Sequence, residues 1–415
     1  MALNPIVFTK KIIDSFLKYQ LTSYPFEDAR LNKQMKELLS GGVTKKTPLM
    51  QGPFVSLSQT FRQGCLVKEL CDEKILHPHL QEIAPYPNVY GHQEKAIRAI
   101  HQGHTTLVST GTGSGKSECF LYPAISKALQ LRDTGAPAGI STIIVYPMNA
   151  LAEDQLGRLR DLLAGSGITF GMYVGKTPDS QHEVSGFIMP EHSSRKEYQN
   201  KVKKYQEEKR SETVHPYEEV CSREMMRTAG KQPRILLTNV KQLELLLTRG
   251  TDVELFKNAT LDYLVFDEAH TFTGIIGAES ACLIRRLKAF CGTPDHTVCI
   301  ATSATIVDKD NPDAARDFAC RFFGDVPSNV ECVTEEYQSD AWKPAGKYPP
   351  VPKNPDELLQ QTLAEIEKDA NTPAIKAIYS QLCGRMLPEG CWQETLYDDL
   401  LTNPLASEIN RILAV

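Results

Sequence analysis

The fold is decided by residues 105–120, which read TTLVSTGTGSGKSECF. A β-branched run opens the stretch, a glycine-rich turn follows, and an apolar helical pattern closes it. Gly111, Gly113 and Gly115 allow backbone conformations that a side chain forbids, so that successive N–H groups can turn inward around a polyphosphate. A helix that begins at Lys116 points its positive end at the same anion. The stretch therefore predicts a strand, a phosphate-binding turn and a helix.

The residues of this turn have separate predicted roles. Lys116 places a positive charge near the β and γ phosphates of ATP, and the Ser117 hydroxyl is a ligand for Mg²⁺. Thr110 stands where the general P-loop pattern has glycine. The alternative is a glycine-rich turn without phosphate function, which the strand context and the Lys-Ser pair disfavour. The predicted ATP-binding turn comprises Thr110, Gly111, Thr112, Gly113, Ser114, Gly115, Lys116 and Ser117.

Outward from this turn, short β-branched runs alternate with amphipathic helical stretches from about residue 89 to 323. This alternation is typical of βαβ units, and several runs are apolar at consecutive positions, as strands buried on both faces must be. The sequence therefore predicts an α/β fold with a parallel sheet and flanking helices. The predicted strands are residues 105–109, 142–146, 168–174, 235–237, 263–266 and 298–301.

Three regions outside this alternation have different patterns. Residues 1–85 are predicted as an N-terminal accessory region of mixed helix and loop. Residues 178–233 are too long for an ordinary connection and carry many charges, so we predict a charged helical insertion that protrudes from the 86–324 domain. The sheet pattern stops after Gly324, and residues 325–415 are predicted as a linker followed by a helical accessory region.

A second motif lies at residues 261–270, which read LDYLVFDEAH. An apolar strand delivers two acidic residues at its carboxyl end, where open parallel sheets bind their ligands. Asp267 is predicted to hold Mg²⁺, and Glu268 to take a proton from the attacking water. His270 can form a hydrogen bond toward the γ-phosphate region. Alone, this tetrapeptide is also compatible with a surface turn; after a phosphate-binding turn it indicates an ATP-hydrolysing site.

Over residues 86–323 the chain resembles the superfamily 2 helicases of the DEAD/DEAH-box type. The resemblance is carried by the two motifs above, by the threonine that opens the phosphate turn, and by an S-A-T motif after a strand. It implies a RecA-like lobe in which Ser303, Ala304 and Thr305 couple the ATP site to the nucleic-acid site. It also implies that Gln93 reads adenine, for which an amide has both a donor and an acceptor. A solvated glutamine at a helix start is the alternative.

The resemblance further implies a track for nucleic acid along the turns that follow three predicted strands. Residues 146–160, YPMNALAEDQLGRLR, look like the family's motif Ia, whose turn grips phosphates through backbone N–H groups and short polar side chains. Each contact alone is equally consistent with an ordinary surface turn, and Arg158 and Arg160 with ordinary surface charges. The basic residues near Lys201 are interpreted as a solvated helix face, with binding of duplex or a partner as the alternative. The predicted contacts are Pro147, Met148, Asn149, Gly175, Lys176, Thr238 and Asn239.

The motifs are most similar to those of large bacterial DNA helicases encoded with anti-phage defence systems and of their repair-helicase relatives. This similarity implies DNA rather than RNA as the polymer, and protein partners of a defence complex. Nothing after residue 325 predicts a second RecA-like lobe or an arginine finger, so we expect weak hydrolysis by this chain alone. We expect either a fragment of a longer polypeptide or a subunit whose second lobe lies on another chain. An RNA helicase lobe and a non-motor, ATP-gated binding subunit are the alternatives.

Composition sets limits on these interpretations. The net charge of −5 gives no overall basic surface, so any surface that binds nucleic acid is local. The sequence has no apolar run of about eighteen residues and no secretory signal, and we expect a cytoplasmic protein without membrane segments. The 11 cysteines are scattered without C-x-x-C pairs and are expected to be reduced thiols.

Overall fold

In the computed structural model the chain forms two compact units. One unit is Phe61–Gln338, and the other combines Met1–Thr60 with Ser339–Val415. Among the predicted site residues, Thr112 and Thr305 lie outside the described ranges. These ranges are 5–23, 25–39, 59–111, 113–304, 313–338, 342–345, 376, 379–380, 385–388 and 390–413.

The strands of the described residues form one large sheet and two small ones. They are β1 Gln63–Leu66, β2 Asn88–Tyr90, β3 Thr105–Ser109, β4 Thr142–Val145, β5 Phe170–Tyr173, β6 Phe187–Ile188, β7 Val214–His215, β8 Ile235–Thr238, β9 Tyr263–Phe266, β10 Val298–Ser303 and β11 Val330–Thr334. The large sheet has seven strands in the order β11-β3-β10-β9-β4-β8-β5. All of its neighbouring pairs are parallel.

The six predicted strands all lie in this sheet, which confirms the predicted parallel α/β fold. β3, β4 and β8 are buried at every position, as strands covered on both faces must be. The prediction that the sheet pattern stops after Gly324 is wrong, because β11 pairs with β3 at the sheet edge. In β11, Val330 and Val333 are buried whereas Glu331 and Thr334 are exposed. Such a half-exposed edge strand has no continuous apolar run by which the sequence would reveal it.

Helices cover both faces of the sheet. The helices of the described residues are α1 Pro5–Ser23, α2 Ala29–Leu39, α3 Val67–Asp72, α4 Leu80–Ile83, α5 Gly91–His101, α6 Lys116–Asp133, α7 Asn149–Leu163, α8 Arg195–Glu207, α9 Arg223–Arg227, α10 Val240–Thr248, α11 Gly274–Phe290, α12 Asp313–Phe323, α13 Trp392–Thr402 and α14 Pro404–Leu413. Apolar side chains of α5, α6 and α7 share one core cluster with Ile144 of β4. Those of α10, α11 and α12 share another with Ile143. Consecutive strand residues thus face opposite helical layers.

The larger unit begins before the predicted boundary at residue 86. β1 and β2 form an antiparallel pair, and Val67, Leu70 and Leu80 are buried in the same cluster as the side chains of α6. α3 and α4 are six and four residues long. Helices of less than two turns are too short to show a helical period in the sequence.

Residues 178–233 contain the predicted charged helix, α8, but they also return to the sheet. Tyr198 of α8 is buried together with Ala164, at the end of α7. Farther along, Val220 and Met226 are buried in the core cluster on the α10 face. The predicted protrusion is therefore wrong for the second half of this region, whose apolar side chains pack in the core beside β5.

The smaller unit is helical in the described residues at both ends of the chain. α1 contacts α2, and α13 contacts α14. None of the described helices is both long and apolar enough to cross a membrane. The ten cysteines within the described ranges are free, as expected for reduced thiols.

Candidate functional site

The predicted phosphate-binding turn leaves β3 at the carboxyl edge of the sheet and enters α6. Gly113 and Gly115 have φ angles of 81° and 75°, in the left-handed region that favours glycine. Gly115 is the N-cap residue of α6. A Cβ atom added there would lie 2.4 Å from Gln93 Nε2, so a larger residue would displace the Gln93 amide from the turn. At these two positions the backbone has the conformation for which the sequence predicted glycine.

Side chains within the turn hold its shape. The hydroxyl oxygens of Thr110 and Ser114 are 2.7 Å apart, and Ser114 Oγ donates a hydrogen bond to the Gly111 carbonyl at 2.9 Å. His92 Nε2 lies 2.8 Å from the Ser114 carbonyl oxygen. Ser114 is fully buried, so its hydroxyl shapes the turn from inside. Thr110, the residue that departs from the general P-loop pattern, belongs to this internal network.

Two side chains from outside the motif bind the backbone of the turn. Gln93 Oε1 accepts a hydrogen bond from the Tyr90 N–H, and Gln93 Nε2 donates one to the Gly115 carbonyl, both at 2.8 Å. Glu335, just after β11, accepts a hydrogen bond from the Gly111 N–H at 2.6 Å. A side-chain amide has two N–H groups and two lone pairs, so Gln93 retains one of each for a nucleotide base. The sequence contains no signal for Glu335, because β11 itself went unpredicted.

The acidic pair lies at the carboxyl end of β9, in the centre of the sheet. Asp267 is 9% exposed and accepts a hydrogen bond from the Thr302 hydroxyl of β10. Burial raises the pKa of the Asp267 carboxyl. Glu268 adopts a φ of 51°, and its N–H donates to Thr302 Oγ1 at 3.1 Å. A non-glycine residue in the left-handed region is uncommon and marks a turn whose shape is imposed by its surroundings.

A line of polar contacts joins the phosphate-binding turn to the end of β10. Lys116 Nζ donates a hydrogen bond to the Thr110 carbonyl at 3.1 Å and lies 3.8 Å from Glu268 Oε1. Glu268 Oε2 lies 3.3 Å from His270 Nδ1, which in turn is 3.4 Å from Ser303 Oγ. Residues predicted separately as phosphate-binding, catalytic and coupling groups are therefore in direct contact. The line ends at Ser303 on β10, the neighbour of the strand that carries the acidic pair.

The two predicted Mg²⁺ ligands carry oxygen atoms that suit a divalent cation. Ser117 is half-buried in the first turn of α6, and Asp267 is a buried carboxylate at the end of β9. Hydroxyl and carboxylate oxygens are the ligands that Mg²⁺ prefers. A bound cation would offset the cost of burial that raises the pKa of the Asp267 carboxyl. Ala304 follows β10 directly and is partly exposed.

Arg158 and Arg160 are more than the ordinary surface charges that the sequence left open. Arg158 of α7 forms an ion pair with Glu118, a buried residue in the first turn of α6. Arg160 donates to both carboxylate oxygens of Glu219 at 2.6 and 2.7 Å. Burial alone would raise the pKa of the Glu219 carboxyl, but hydrogen bonds from Arg160 and His215 lower it overall. The signal in the sequence for the first pair is a glutamate just before the apolar run of α6.

Two of the predicted nucleic-acid turns lie side by side, because β4 and β8 are neighbours. Met148, 63% exposed, is the N-cap residue of α7, and Asn149 begins that helix. Asn239 is the N-cap residue of α10: its Oδ1 accepts a hydrogen bond from the Gln242 N–H at 2.8 Å. Its Nδ2 donates to Asn149 Oδ1 at 2.8 Å. One hydrogen bond thus fixes the spacing of two helix N-termini, each of which exposes backbone N–H groups.

The third predicted turn follows β5, the neighbour of β8. Gly175 and Lys176 are both exposed. Thr238 is buried and its hydroxyl donates to the Tyr173 carbonyl at 2.7 Å, so it ties this turn to the preceding one. Pro147 is partly exposed. Of the described residues predicted to contact nucleic acid, Thr238 is the one that is buried.

Comparison with known families gives a match to the DEAD/DEAH box helicase model. The matched residues are 90–186 and 187–313, which together make more than half of the chain. They contain both motifs on which the predicted resemblance rests and the S-A-T motif. The match confirms that resemblance.

Comparison with individual proteins points in the same direction. The chain is 27% identical over 381 residues to the Druantia protein DruE of Escherichia coli, in a match covering 72% of this chain and 20% of DruE. It is 28% identical over 223 residues to the uncharacterized ATP-dependent helicase YprA of Bacillus subtilis, covering 53% of this chain and 23% of YprA. The chain thus spans between a fifth and a quarter of the length of these curated relatives. Among solved structures, the DUF1998 helicase MrfA bound to DNA and AMPPNP is 23% identical, with 77% of this chain and 37% of MrfA covered and a TM-score of 0.44.

Proposed function

Because the chain belongs to the DEAD/DEAH box helicase family, we propose that unit Phe61–Gln338 is the ATP-hydrolysing, RecA-like lobe of a DNA helicase or translocase. One observation carries the proposal: the contact line from Lys116 through Glu268 and His270 to Ser303. It begins at the predicted phosphate turn and ends on the strand beside the acidic pair. An ATP-driven motor needs such a connection between the site of hydrolysis and the rest of the lobe.

In this proposal the ATP-binding groups act in a fixed order from base to γ-phosphate. Gln93 uses its remaining N–H and lone pair on the adenine edge. The backbone N–H groups of the turn and the Lys116 ammonium hold the phosphates. Glu268 takes a proton from the attacking water, and its position between Lys116 and His270 restricts the direction from which that water approaches.

The same proposal places Mg²⁺ next to the phosphates. Ser117 and Asp267 would hold the ion, which when bound neutralises charge on the phosphate oxygens. The buried Asp267 carboxylate supports this placement, because it lacks an ion pair with any described cationic side chain. Thr302 orients that carboxylate through its hydroxyl hydrogen bond.

For the nucleic acid, we propose that one strand crosses the three turns after β4, β8 and β5. Exposed backbone N–H groups and short polar side chains there are suited to sugar-phosphate contacts. The proposed contacts are Pro147, Met148, Asn149, Gly175, Lys176, Thr238 and Asn239, of which the buried Thr238 acts through backbone position rather than through its hydroxyl.

DNA is proposed as the polymer because the motifs resemble those of DNA helicases, and because the long matches, to DruE, YprA and HRQ1 of Saccharomyces cerevisiae, are to proteins not named as RNA helicases. The match to the human ATP-dependent RNA helicase DDX18 is 32% identical but is limited to 90 residues, 22% of this chain. Because the motifs resemble those of helicases encoded with anti-phage defence systems, we also propose a role in such a system, with partner proteins. A second RecA-like lobe, in cis or in trans, would complete hydrolysis with an arginine finger.

The test is ATP turnover in the presence of single-stranded DNA, single-stranded RNA, duplex DNA or no polymer. We expect stimulation by DNA that exceeds stimulation by RNA, in the chain and more strongly in a protein that also contains a second lobe. Stimulation by RNA alone would identify an RNA helicase lobe. Turnover near zero with every polymer, even with a second lobe present, would contradict the motor assignment and favour an ATP-gated binding subunit.

A further inference from the structure

The turn after β5 is held in one shape by its own residues. The Thr177 N–H donates a hydrogen bond to the Val174 carbonyl at 3.1 Å, which closes a β-turn with Gly175 and Lys176 at its centre. Thr177 Oγ1 accepts a hydrogen bond from the Val174 N–H at 2.9 Å and donates one to the Met172 carbonyl at 2.7 Å. Both central residues are exposed; the Lys176 side chain is 79% exposed, and its Nζ lies 3.8 Å from Oε1 of the exposed Glu153 side chain. The turn therefore offers its centre to solvent while its ends are fixed.

One arginine of the 178–233 insertion binds the carbonyl groups of this turn. Arg223, the first residue of α9, donates from Nη2 to the Val174 carbonyl at 3.0 Å and to the Gly175 carbonyl at 2.9 Å. Its Nη1 donates to Asp179 Oδ1 at 2.7 Å, and its guanidinium lies 5.3 Å from the centre of the Tyr173 ring. The Arg223 side chain is only 15% exposed. Its donors are therefore directed at the protein and not at solvent.

Peptide geometry turns these carbonyl contacts into an orientation of N–H groups. In a planar trans peptide the C=O and the following N–H point in opposite directions. The Val174 carbonyl shares its peptide plane with the Gly175 N–H, and the Gly175 carbonyl shares its plane with the Lys176 N–H. When Arg223 holds both carbonyls, both N–H groups face away from the guanidinium. Two successive N–H groups beside an exposed ammonium are a suitable site for a phosphate oxygen.

The helix that carries Arg223 is itself anchored one turn farther on. Arg227 Nε donates to Asp252 Oδ1 at 2.7 Å, and Arg227 Nη2 donates to the Tyr173 hydroxyl at 2.5 Å. The Tyr173 hydroxyl donates to the same Asp252 oxygen at 2.9 Å. Asp252 is fully buried. α9 is thus fixed to the end of β5 at two points, which keeps Arg223 in register with the turn.

We infer that Arg223 is a positioning residue for nucleic-acid binding: it orients the Gly175 and Lys176 N–H groups toward a backbone phosphate of the single strand. The inference rests on the proposed function, and it assigns the insertion a part in the nucleic-acid track. Arg223 itself does not contact the phosphate. Its effect on affinity passes through the turn, and therefore through Lys176.

Fluorescence anisotropy with a labelled single-stranded oligothymidylate tests the inference on the full chain. We expect Arg223→Ala to weaken binding about tenfold and to lower the slope of log affinity against log salt by about 0.7, the contribution of one single-strand phosphate. Arg223→Lys should recover part of the affinity, because an ammonium group donates to the same carbonyls without the planar fork. Arg316→Ala removes an equally charged, partly exposed side chain from α12 and should leave binding within twofold of the unchanged chain.

A double-mutant cycle separates positioning from direct contact. If Arg223 acts through the turn, Arg223→Ala combined with Lys176→Ala should bind no more weakly than the weaker single variant. Additive losses, or unchanged binding by Arg223→Ala, would overturn the inference. Unchanged affinity for a fluorescent ATP analogue shows that each variant has folded. Absence of oligonucleotide binding by the unchanged chain would overturn the proposed function instead, and the inference with it.

Discussion

The proposed phosphate-binding turn and the proposed nucleic-acid turns lie along the same edge of the sheet but are built differently. The first is a contiguous motif whose internal contacts, such as that between Thr110 and Ser114, span four residues. The second group is held by contacts between distant parts of the chain: Asn149 with Asn239, and Gly175 with Arg223. The residues of both sites are predicted from the sequence, whereas the contacts that join distant segments, including those of Gln93 and Glu335 with the first turn, become visible only in the fold.

The largest expected effect concerns hydrolysis at the contiguous site. Glu268→Gln should keep ATP affinity and slow turnover by about 10²- to 10⁴-fold, since the amide cannot accept the proton of the attacking water. Single-turnover hydrolysis measures the turnover, and equilibrium binding of an ATP analogue measures the affinity. Glu279→Gln, at an exposed position of α11, is the matched control. Normal turnover in Glu268→Gln would show that Glu268 is not the general base.

Removal of the phosphate-binding charge should give the next largest effect. Lys116→Ala should weaken ATP binding by about 100-fold, or about 2.7 kcal/mol, because the ammonium is the one cation in contact with both the turn and Glu268 among the described side chains. Isothermal titration with ATP measures the change. Lys127→Ala, on the same helix but paired with Asp262 at 3.0 Å, should bind as the unchanged chain does. Equal losses in the two variants would mean that the effect belongs to the helix and not to the site.

A substitution at Asn239 should act on the proposed nucleic-acid turns alone. Asn239→Asp keeps the N-cap acceptor for Gln242 but loses the donor to Asn149. Loss of one hydrogen bond, about 1 kcal/mol, should weaken oligonucleotide binding about fivefold and leave ATP affinity unchanged. Asn403→Asp, at a position whose Oδ1 also accepts backbone hydrogen bonds, controls for the added charge. A parallel loss of ATP affinity would show that the two sites are not separable.

The smallest expected effect is on stability. Burial raises the pKa of the Asp267 carboxyl above its ordinary value of 3.8. The folded state therefore binds this proton more tightly than the unfolded state, and stability falls as pH rises through the interval between the two pKa values. Asp267→Asn should raise the melting temperature of the nucleotide-free protein at neutral pH by about 2 °C, the shift that about 1 kcal/mol gives in a domain of this size.

Two measurements check the cause of that gain. The difference between Asp267→Asn and the unchanged chain should disappear below pH 3.8, where the carboxyl is neutral in both states. Thermal denaturation from neutral pH to below pH 3.8 measures this difference in melting temperature. Saturating Mg²⁺ and ATP should reverse the order of stability, because the amide is a poorer ligand for the cation. A variant that melts lower at neutral pH would mean that the Thr302 hydrogen bond outweighs the cost of burial.

Sequence reasoning succeeded where a structural signal is local. The six buried strands and the turn at Gly113 and Gly115 depend on runs of neighbouring residues, and the structure confirms the strands. The acidic pair at Asp267 follows directly from the strand that precedes it. In each case the residues that fix the conformation are adjacent in the chain.

It failed where the signal is shared between distant segments. β11 lies at an edge and buries alternate residues, so it had no apolar run of its own. Arg158 appeared as a possible surface charge because its partner, Glu118, is 40 residues away. Arg223 lies 48 residues from the carbonyl of Gly175 that it binds, and nothing near Arg223 in the sequence indicates that contact.

The path of residues 178–233 has a consequence for how this chain can change. The segment begins just after β5 and ends just before β8. Near its end, Arg223 of α9 binds the Gly175 carbonyl in the turn after β5, close to where the segment began. Shortening either end of the segment would therefore disturb the contact between α9 and the turn after β5. A shortened version would have to find another support for the loop beyond β5, and loss of α8 would also expose Ala164, which is buried in one cluster with Tyr198.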